Sequence, residues 1–154
     1  MQISGKYFFS ATPEEVWQII CDPVALKQSI PQCESMTRLN ETQWQGTARL
    51  KVGPFSTLFN GLITLSNLNP PDSYAIAIEA DSWLGHSSGS ADVRLASEGN
   101  GTFLHYDAKA VLGIRLLDKA ADMATGMAEN IAEKFFTRLA EIIAQQRQKD
   151  TLAS

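Results

Sequence analysis

The stretch that decides the fold, residues 11–23, reads Ala-Thr-Pro-Glu-Glu-Val-Trp-Gln-Ile-Ile-Cys-Asp-Pro. Thr12 has the hydroxyl of a helix N-cap, the proline after it suits the first helical position, and the Glu15 carboxylate can reach back to the cap. Asp22 and its following proline repeat the pattern, and Pro31 ends the second helix. The stretch therefore predicts two short helices in direct succession.

Alternating strands lie on both sides of these helices. Before them, Ile3, Gly5, Tyr7 and Phe9 share one parity, as expected for a strand with one buried face. After them, the period of two returns in stretches that include residues 44–52, 55–65, 74–80, 91–95 and 104–112. This order predicts an antiparallel sheet that follows the two helices.

Turn signals divide the strands. Residues 69–72 (Asn-Pro-Pro-Asp) predict a loop, and residues 98–101 (Glu-Gly-Asn-Gly) are the best hairpin signal in the chain. Asn60-Gly61 could form a hairpin turn, but alternation continues through it, which favours a bend in a strongly curved strand. Residues 82–90 show no alternation and predict a loosely built segment.

After Gly113 the apolar period changes from two to about 3.6, which predicts a helix from about Leu116 to Arg147. The predicted order is a strand, two short helices, six strands and a long helix. It favours an α+β helix-grip fold, in which a curved seven-stranded antiparallel sheet surrounds the C-terminal helix. We expect one domain over residues 1–148 and a polar tail over residues 149–154.

The long helix predicts a partly empty interior. Its second half is bulky, whereas its first half carries small residues around Gly126, with Met123 and Met127 between them. Small residues either let backbones approach or leave volume empty, and a curved sheet cannot close on a helix at every point. We give equal weight to the alternative that both methionines are ordinary core.

Composition limits the classes of partner. The net charge of -4 argues against nucleic acid, because phosphate binding requires a basic face. The N-terminus lacks a secretory signal, and no segment approaches the ~20 apolar residues that cross a bilayer. Cys21 and Cys33 do not form a disulfide framework. We therefore expect a cytoplasmic protein with reduced thiols.

A set of motifs is distributed over most of the chain, at residues 11–17, 22–23, 30–34, 51–55, 59–61 and 69–74. Together they resemble the carbon monoxide dehydrogenase G-subunit (CoxG) family of the START-like (SRPBCC) helix-grip superfamily. The resemblance extends from Gly5 to about Leu139, and the segments Ile-Pro-x-Cys-Glu and Lys-Val-Gly-Pro make it specific. One departure is Gln32, where the family usually has glycine, and we expect this change to affect the local turn only.

The resemblance implies a non-enzymatic accessory of a molybdenum-containing CO dehydrogenase or related hydroxylase. It also implies recruitment to the membrane, with a peripheral position at the inner membrane, and binding of a lipid or quinone-like molecule. Many relatives carry a C-terminal extension, whereas this sequence ends at Ser154 in a polar tail. We therefore expect membrane contact through a partner or a bound lipid, and we expect no cofactor.

Catalytic constellations are weak in this sequence. A metal site would need His86, His105 and the two cysteines to converge, and their spacings match no familiar zinc pattern. A serine triad around His86 lacks the Gly-x-Ser-x-Gly elbow. Cys33 could be reactive, but a small buried side chain is the favoured interpretation. Tyr106 either bonds within the core or offers its hydroxyl to a ligand, with the core role favoured.

Three hypotheses follow: a binding protein for a hydrophobic small molecule, a small cyclase, aromatase or hydratase, and an interaction module with a filled core. The first is favoured, because strand parity turns mainly Tyr106 inward among ionisable groups, whereas an enzyme needs two or more. The candidate ligand-binding residues are Phe59, Ile78, Trp83, His86, Tyr106, Met123, Met127 and Ile131.

Overall fold

The described residues form one antiparallel sheet and three helices. The computed structural model describes residues 2–52, 55–111, 113 and 120–153, with the backbone alone for residues 52, 55, 120–125 and 150–153. The elements are β1 (Gln2–Phe9), α1 (Pro13–Ile20), α2 (Pro23–Ser29), β2 (Cys33–Arg38), β3 (Gln43–Val52), β4 (Phe55–Asn69), β5 (Ser73–Ser82), β6 (Gly85–Glu98), β7 (Gly101–Val111) and α3 (Ala120–Ala153).

The seven strands form a single sheet in the order β1-β7-β6-β5-β4-β3-β2, with every neighbouring pair antiparallel. Helix α3 packs on one face, which we call the inner face; the opposite one is the outer face. The ring of Phe136 in α3 stacks on Tyr7 at 4.7 Å and on Tyr106 at 5.3 Å between ring centroids. These contacts confirm the predicted α+β helix-grip architecture.

The capping residues form the predicted bonds. Thr12 Oγ1 accepts from the Glu15 amide at 3.2 Å, and the Glu15 carboxylate accepts from the Thr12 amide at 3.4 Å. The Asp22 carboxylate accepts from the Val24 amide at 3.0 Å. Arg147 joins this corner to α3, because its guanidinium donates to the Ser10 carbonyl and lies 3.3 Å from the Glu15 carboxylate. The Glu15 carboxylate therefore both caps α1 and forms the ion pair that holds α1 to α3.

Three local predictions need comment. Residues 82–90 are not loosely built: β6 begins at Gly85 and pairs with β5 and β7, so two neighbours impose a strand that a Ser/Gly-rich sequence does not signal. Helix α3 continues past Arg147 to Ala153, and its predicted start at Leu116 lies outside the described residues. Asn60 and Gly61 lie within β4, which confirms the uninterrupted strand.

The departure at Gln32 has a geometric consequence. This residue has φ +57°, in the left-handed region where glycine is the unstrained choice. The usual glycine of the family motif would therefore suit the turn between α2 and β2 better than the glutamine present here. Gln32 itself is exposed in this turn.

The main core fills one end of the inner face. Leu139 and Phe136 of α3 pack there against Phe9, Leu104 and Val16. Two smaller clusters lie elsewhere on the same face, one around Trp44 and Ile63 and one around Phe59 and Leu84. The part of the inner face that lies between these three clusters is the candidate site.

Candidate functional site

A patch of glycine and alanine occupies the middle of the inner face. We call it the small-residue floor, and every member is only partly buried. Cross-strand register aligns Gly61 with Ala80, Gly89 with Ala110, and Ala91 with Ala108, so the floor extends over β4, β5, β6 and β7. The floor consists of Gly61, Ala80, Gly89, Ala91, Ala108 and Ala110. Because the side chains on these four adjacent strands are short, only side chains of the helix could fill the volume above them.

No atom of α3 among the described residues lies against the floor glycines. In that part of the chain, a Cβ built on Gly61 would meet only backbone oxygens of Glu79 and Gly46, both at 3.8 Å. A Cβ built on Gly89 would meet only the Lys109 carbonyl at 3.4 Å and the Ala110 methyl at 3.7 Å. All of these atoms belong to the sheet. The described side chains of α3 therefore make no van der Waals contact with either glycine position.

Ile78 lies beside the floor, and its solvent exposure indicates open space at the same place. It pairs with Ile63 on one side and Gly89 on the other, and it shares the parity of the inner-face residues Tyr74 and Ile76. Ile63 is 8% exposed, whereas Ile78 is 39% exposed. An inward isoleucine that retains this exposure borders an opening. Large apolar side chains are normally removed from water when a second layer covers them.

The helix side of the space is apolar where side chains are described. Met127 packs against the cluster of Phe59 and Leu84, and Ile131 is half-buried one turn further along. Met123 lies in α3, but its side chain is outside the described set. Gly126 is exposed, and a Cβ built there meets no atom of the described residues within 4 Å. The packing reason expected for this glycine is therefore not found in its surroundings.

Tyr106 stands at the border between the space and the filled core. One side of its ring stacks on Phe136 at 5.3 Å between centroids, and its hydroxyl lies against Gly5, where an added Cβ would be 2.9 Å away. Burial raises the pKa of this phenol, and the nearby Tyr7 and Glu129 raise it further. The hydroxyl is therefore protonated at neutral pH, with a proton available for donation to an acceptor.

Trp83 and His86 lie away from the other candidates, on the outer face. Trp83 is 64% exposed and lines an open outer groove of about 470 Å³ together with Arg49 and Leu58. His86 Nδ1 lies 2.6 Å from Asp81 Oδ1, its cross-strand neighbour, and this bond raises the pKa of the imidazole. The structure thus brings Phe59, Ile78, Tyr106 and Met127 to the inner face and separates Trp83 and His86 from them. It leaves Ile131 half-buried on α3.

Sequence reasoning missed the small-residue floor and Trp44. The indole of Trp44 is 2% exposed in the cluster with Ile63, and its N–H has no hydrogen-bond partner among the described residues. The floor had a signal: Gly61, Ala80, Ala91 and Ala108 all have inward parity in predicted strands. The sequence contains no signal for the cross-strand register that aligns these residues on adjacent strands.

The thiols show no sign of activation. Burial raises the pKa of Cys21 despite the opposing charge of Arg38. Burial likewise raises the pKa of Cys33, against the effects of its bond to the Ser35 carbonyl at 3.2 Å and of Lys27. Both cysteines are therefore thiols at neutral pH, and thiolate is the reactive form. The described residues include no group of three or more His, Cys, Asp or Glu placed to hold a metal ion.

Comparison with solved structures defines the class of this fold. A conserved protein from Geobacillus kaustophilus superposes with a TM-score of 0.88 at 21% identity, over 94% of this chain and 96% of that chain. Protein TTHA0849 from Thermus thermophilus gives 0.71 at 13% identity, over 95% and 99%. The protein Ara h 8.0201 gives 0.67 at 10% identity, over 94% and 98%. At these identities the likeness concerns the fold alone.

The family follows from the sequence itself. The family model for CoxG, the G-subunit of carbon monoxide dehydrogenase, matches residues 5–144, which is most of the chain. The chain belongs to the CoxG family. A comparison with curated proteins gives no match. Among the helices of the described residues, none combines the length and apolar character needed to cross a bilayer.

Proposed function

We propose that this protein binds a hydrophobic small molecule, a lipid or a quinone-like compound, in the space between the small-residue floor and α3. The observation that carries this proposal is the 39% exposure of the inward-facing Ile78, together with the lack of contact between the described atoms of α3 and a Cβ at Gly61 or Gly89. Membership of a family of accessory subunits supports a binding role. Phe59, Ile78, Met127 and Ile131 are the proposed apolar lining, and Met123 is a further candidate on the same helix.

The chemistry of the border supports an uncharged guest. Aliphatic and aromatic side chains surround the floor, and the protonated Tyr106 hydroxyl is a donor for a carbonyl oxygen. An enzyme on this fold would need a second ionisable group with a pKa adjusted toward neutrality, and the pKa of Tyr106 is raised instead. These features favour storage or transfer of a ligand over its conversion.

A direct test is to fill the proposed binding space with a larger side chain. Ala91→Leu introduces a branched side chain over the floor, whereas Ala77→Leu makes the same chemical change on the exposed outer face of β5, next to Ser90. We expect Ala91→Leu to abolish retention of apolar guests, measured by organic extraction and mass spectrometry of the purified protein. Ala77→Leu should retain them. Equal retention by both variants would contradict the proposed site.

Fluorescence gives the affinity. Trp44 neighbours Ile63, which neighbours Ile78, so its emission should respond to a quinone in the space. Trp83 lies on the outer face, so Trp83→Phe removes an irrelevant signal without touching the site. A short-chain quinone should quench the Trp83→Phe variant saturably. Saturable quenching that persists with Ala91→Leu added would place the quinone elsewhere.

The second part of the proposal is docking to a molybdenum-type CO dehydrogenase or related oxidoreductase. It rests on the family alone. Affinity capture with the full chain, followed by molybdenum analysis of the eluted complex, tests it. Including Ala91→Leu separates the two parts, because docking that survives this substitution does not require the ligand. Elution without a molybdenum enzyme would remove the docking proposal and leave the binding site standing.

A further inference from the structure

The two edges of the sheet are built differently. Strand β2 has six residues and carries a register irregularity between Cys33 and Ser35. It follows Pro31 closely and contains two charged residues, Glu34 and Arg38. Short length, irregularity, proline and charge are the features that discourage an edge strand from pairing with another chain. Strand β2 is therefore a protected edge.

Strand β1 has almost none of this protection. It pairs with β7 over eight consecutive residues without a shift in register, and it contains no proline. Its single charged residue, Lys6, extends over the ring of Phe103 at 5.1 Å, on the outer face. Ser4 and Gly5 are exposed, and no further strand of the described residues lies beyond β1. This edge offers regular backbone groups that pair with no other strand in the described part of the chain.

We propose that β1 pairs with β1 of a second copy of this chain, antiparallel and about a two-fold axis, so that one sheet continues through a homodimer. In such a pair one residue faces its own counterpart. With Gly5 on the axis, residues 2–8 of both copies overlap. Ile3 then faces Tyr7 of the second copy on the inner side, and Ser4 faces its Lys6 on the outer side.

Charge and length select this register over its neighbours. An axis at Lys6 would oppose two ammonium groups, which destabilises a strand pair. An axis at Ser4 would shorten the overlap within β1 to residues 2–6. The Gly5 register avoids both problems, and it places Gln2 of the second copy opposite Phe8, which is 47% exposed. Because β1 complements itself in this way, a second copy suits the edge.

Sedimentation of two charge variants tests the proposal. Ser4→Lys would oppose Lys6 of the second copy, whereas Ser4→Glu would attract it. We expect the wild-type chain to form a dimer with rising concentration, Ser4→Lys to weaken the dimer about tenfold because the contact occurs twice, and Ser4→Glu to preserve or tighten it. Within one copy Ser4 neighbours Asp107, so Ser4→Lys should stabilise the fold and Ser4→Glu should weaken it slightly.

The effects on folding and on association thus have opposite signs, which removes misfolding as an explanation. Hydrogen exchange supplies the location: β1 amides should become more protected as concentration rises, and β2 amides should not. A wild-type chain that sediments as a monomer at every soluble concentration overturns the proposal. Equal dimerisation affinities of the two Ser4 variants would also overturn it. So would hydrogen-exchange rates of the β1 amides that do not change with protein concentration. This inference does not depend on the proposed ligand.

Discussion

The two halves of the space between sheet and helix use the same backbone and differ in side-chain volume. In the filled half, Phe136 and Leu139 of α3 meet Phe9 and Leu104, and all four are nearly inaccessible to solvent. In the open half, the same sheet presents glycine and alanine, and Ile78 remains 39% exposed. The comparison teaches that one pair of elements can combine a densely packed region with a region of small side chains, which is the proposed binding space. Packing energy is concentrated where side chains are large.

The largest expected effect is truncation in the filled half. Phe136→Ala should lower the free energy of unfolding by about 3–5 kcal/mol, because it removes a buried ring that stacks on Tyr7 and Tyr106. Ile78→Ala, the matched truncation in the open half, should cost only about 1 kcal/mol, because much of that side chain is already exposed. Urea unfolding measures both. Equal costs would mean that the halves are packed alike.

Enlargement should show the reverse contrast at smaller magnitude. Ala11, with 0% exposure in the main core, has no room for growth, so Ala11→Leu should destabilise the fold by about 1–3 kcal/mol. Ala108→Leu in the floor should be neutral or stabilising, because its new atoms enter open space. Thermal unfolding of the two variants decides the matter. A destabilised Ala108→Leu would indicate that the floor is covered.

A pH titration separates a tyrosine of the packed region from one at the border. Burial raises the pKa of Tyr74, which packs edge-on against Trp17 at 5.4 Å. The folded chain therefore keeps this proton where the unfolded chain loses it. The associated stability is complete below about pH 10 and falls by about 1.4 kcal/mol per pH unit as the pH rises toward the folded pKa.

Tyr74→Phe should flatten the alkaline decline in stability, measured by urea unfolding between neutral and strongly alkaline pH. Tyr106→Phe is the comparison variant, because that ring borders the open space. Added ligand should raise the pKa of Tyr106 further by covering it, and it should leave Tyr74 unchanged. An alkaline decline that is the same in wild type and Tyr74→Phe would show that Tyr74 is not its source.

The smallest expected effect concerns Gly126. Because a Cβ there meets nothing, Gly126→Ala should stabilise the protein by about 0.5–1 kcal/mol through helix propensity alone. Ligand retention should not change, since the residue is exposed on α3. Thermal unfolding and extraction of bound lipid measure the two quantities. Loss of bound ligand in the Gly126→Ala variant would indicate that Gly126 is part of the binding site.

The sequence predicted the fold well because its determinants are local or periodic. The Thr12 and Asp22 caps fix two helix starts through bonds to residues two or three positions away. Alternation marks β3, β4 and β7 because each strand has one core face. Strand β6 shows where this reasoning ends: its first residues are Gly, His and Ser, and only pairing with two neighbours makes them a strand.

The amino-acid sequence by itself determined the starts of the two short helices, the connections at residues 69–72 and 98–101, the period of the long helix and, through its motifs, the family. Tertiary structure alone decided which small residues stand side by side and on which face Trp83 and His86 lie. The physical reason is that register couples residues far apart in the chain, such as Gly61, Gly89 and Ala110. Empty space is a collective property of those neighbours, and no single stretch of sequence encodes it.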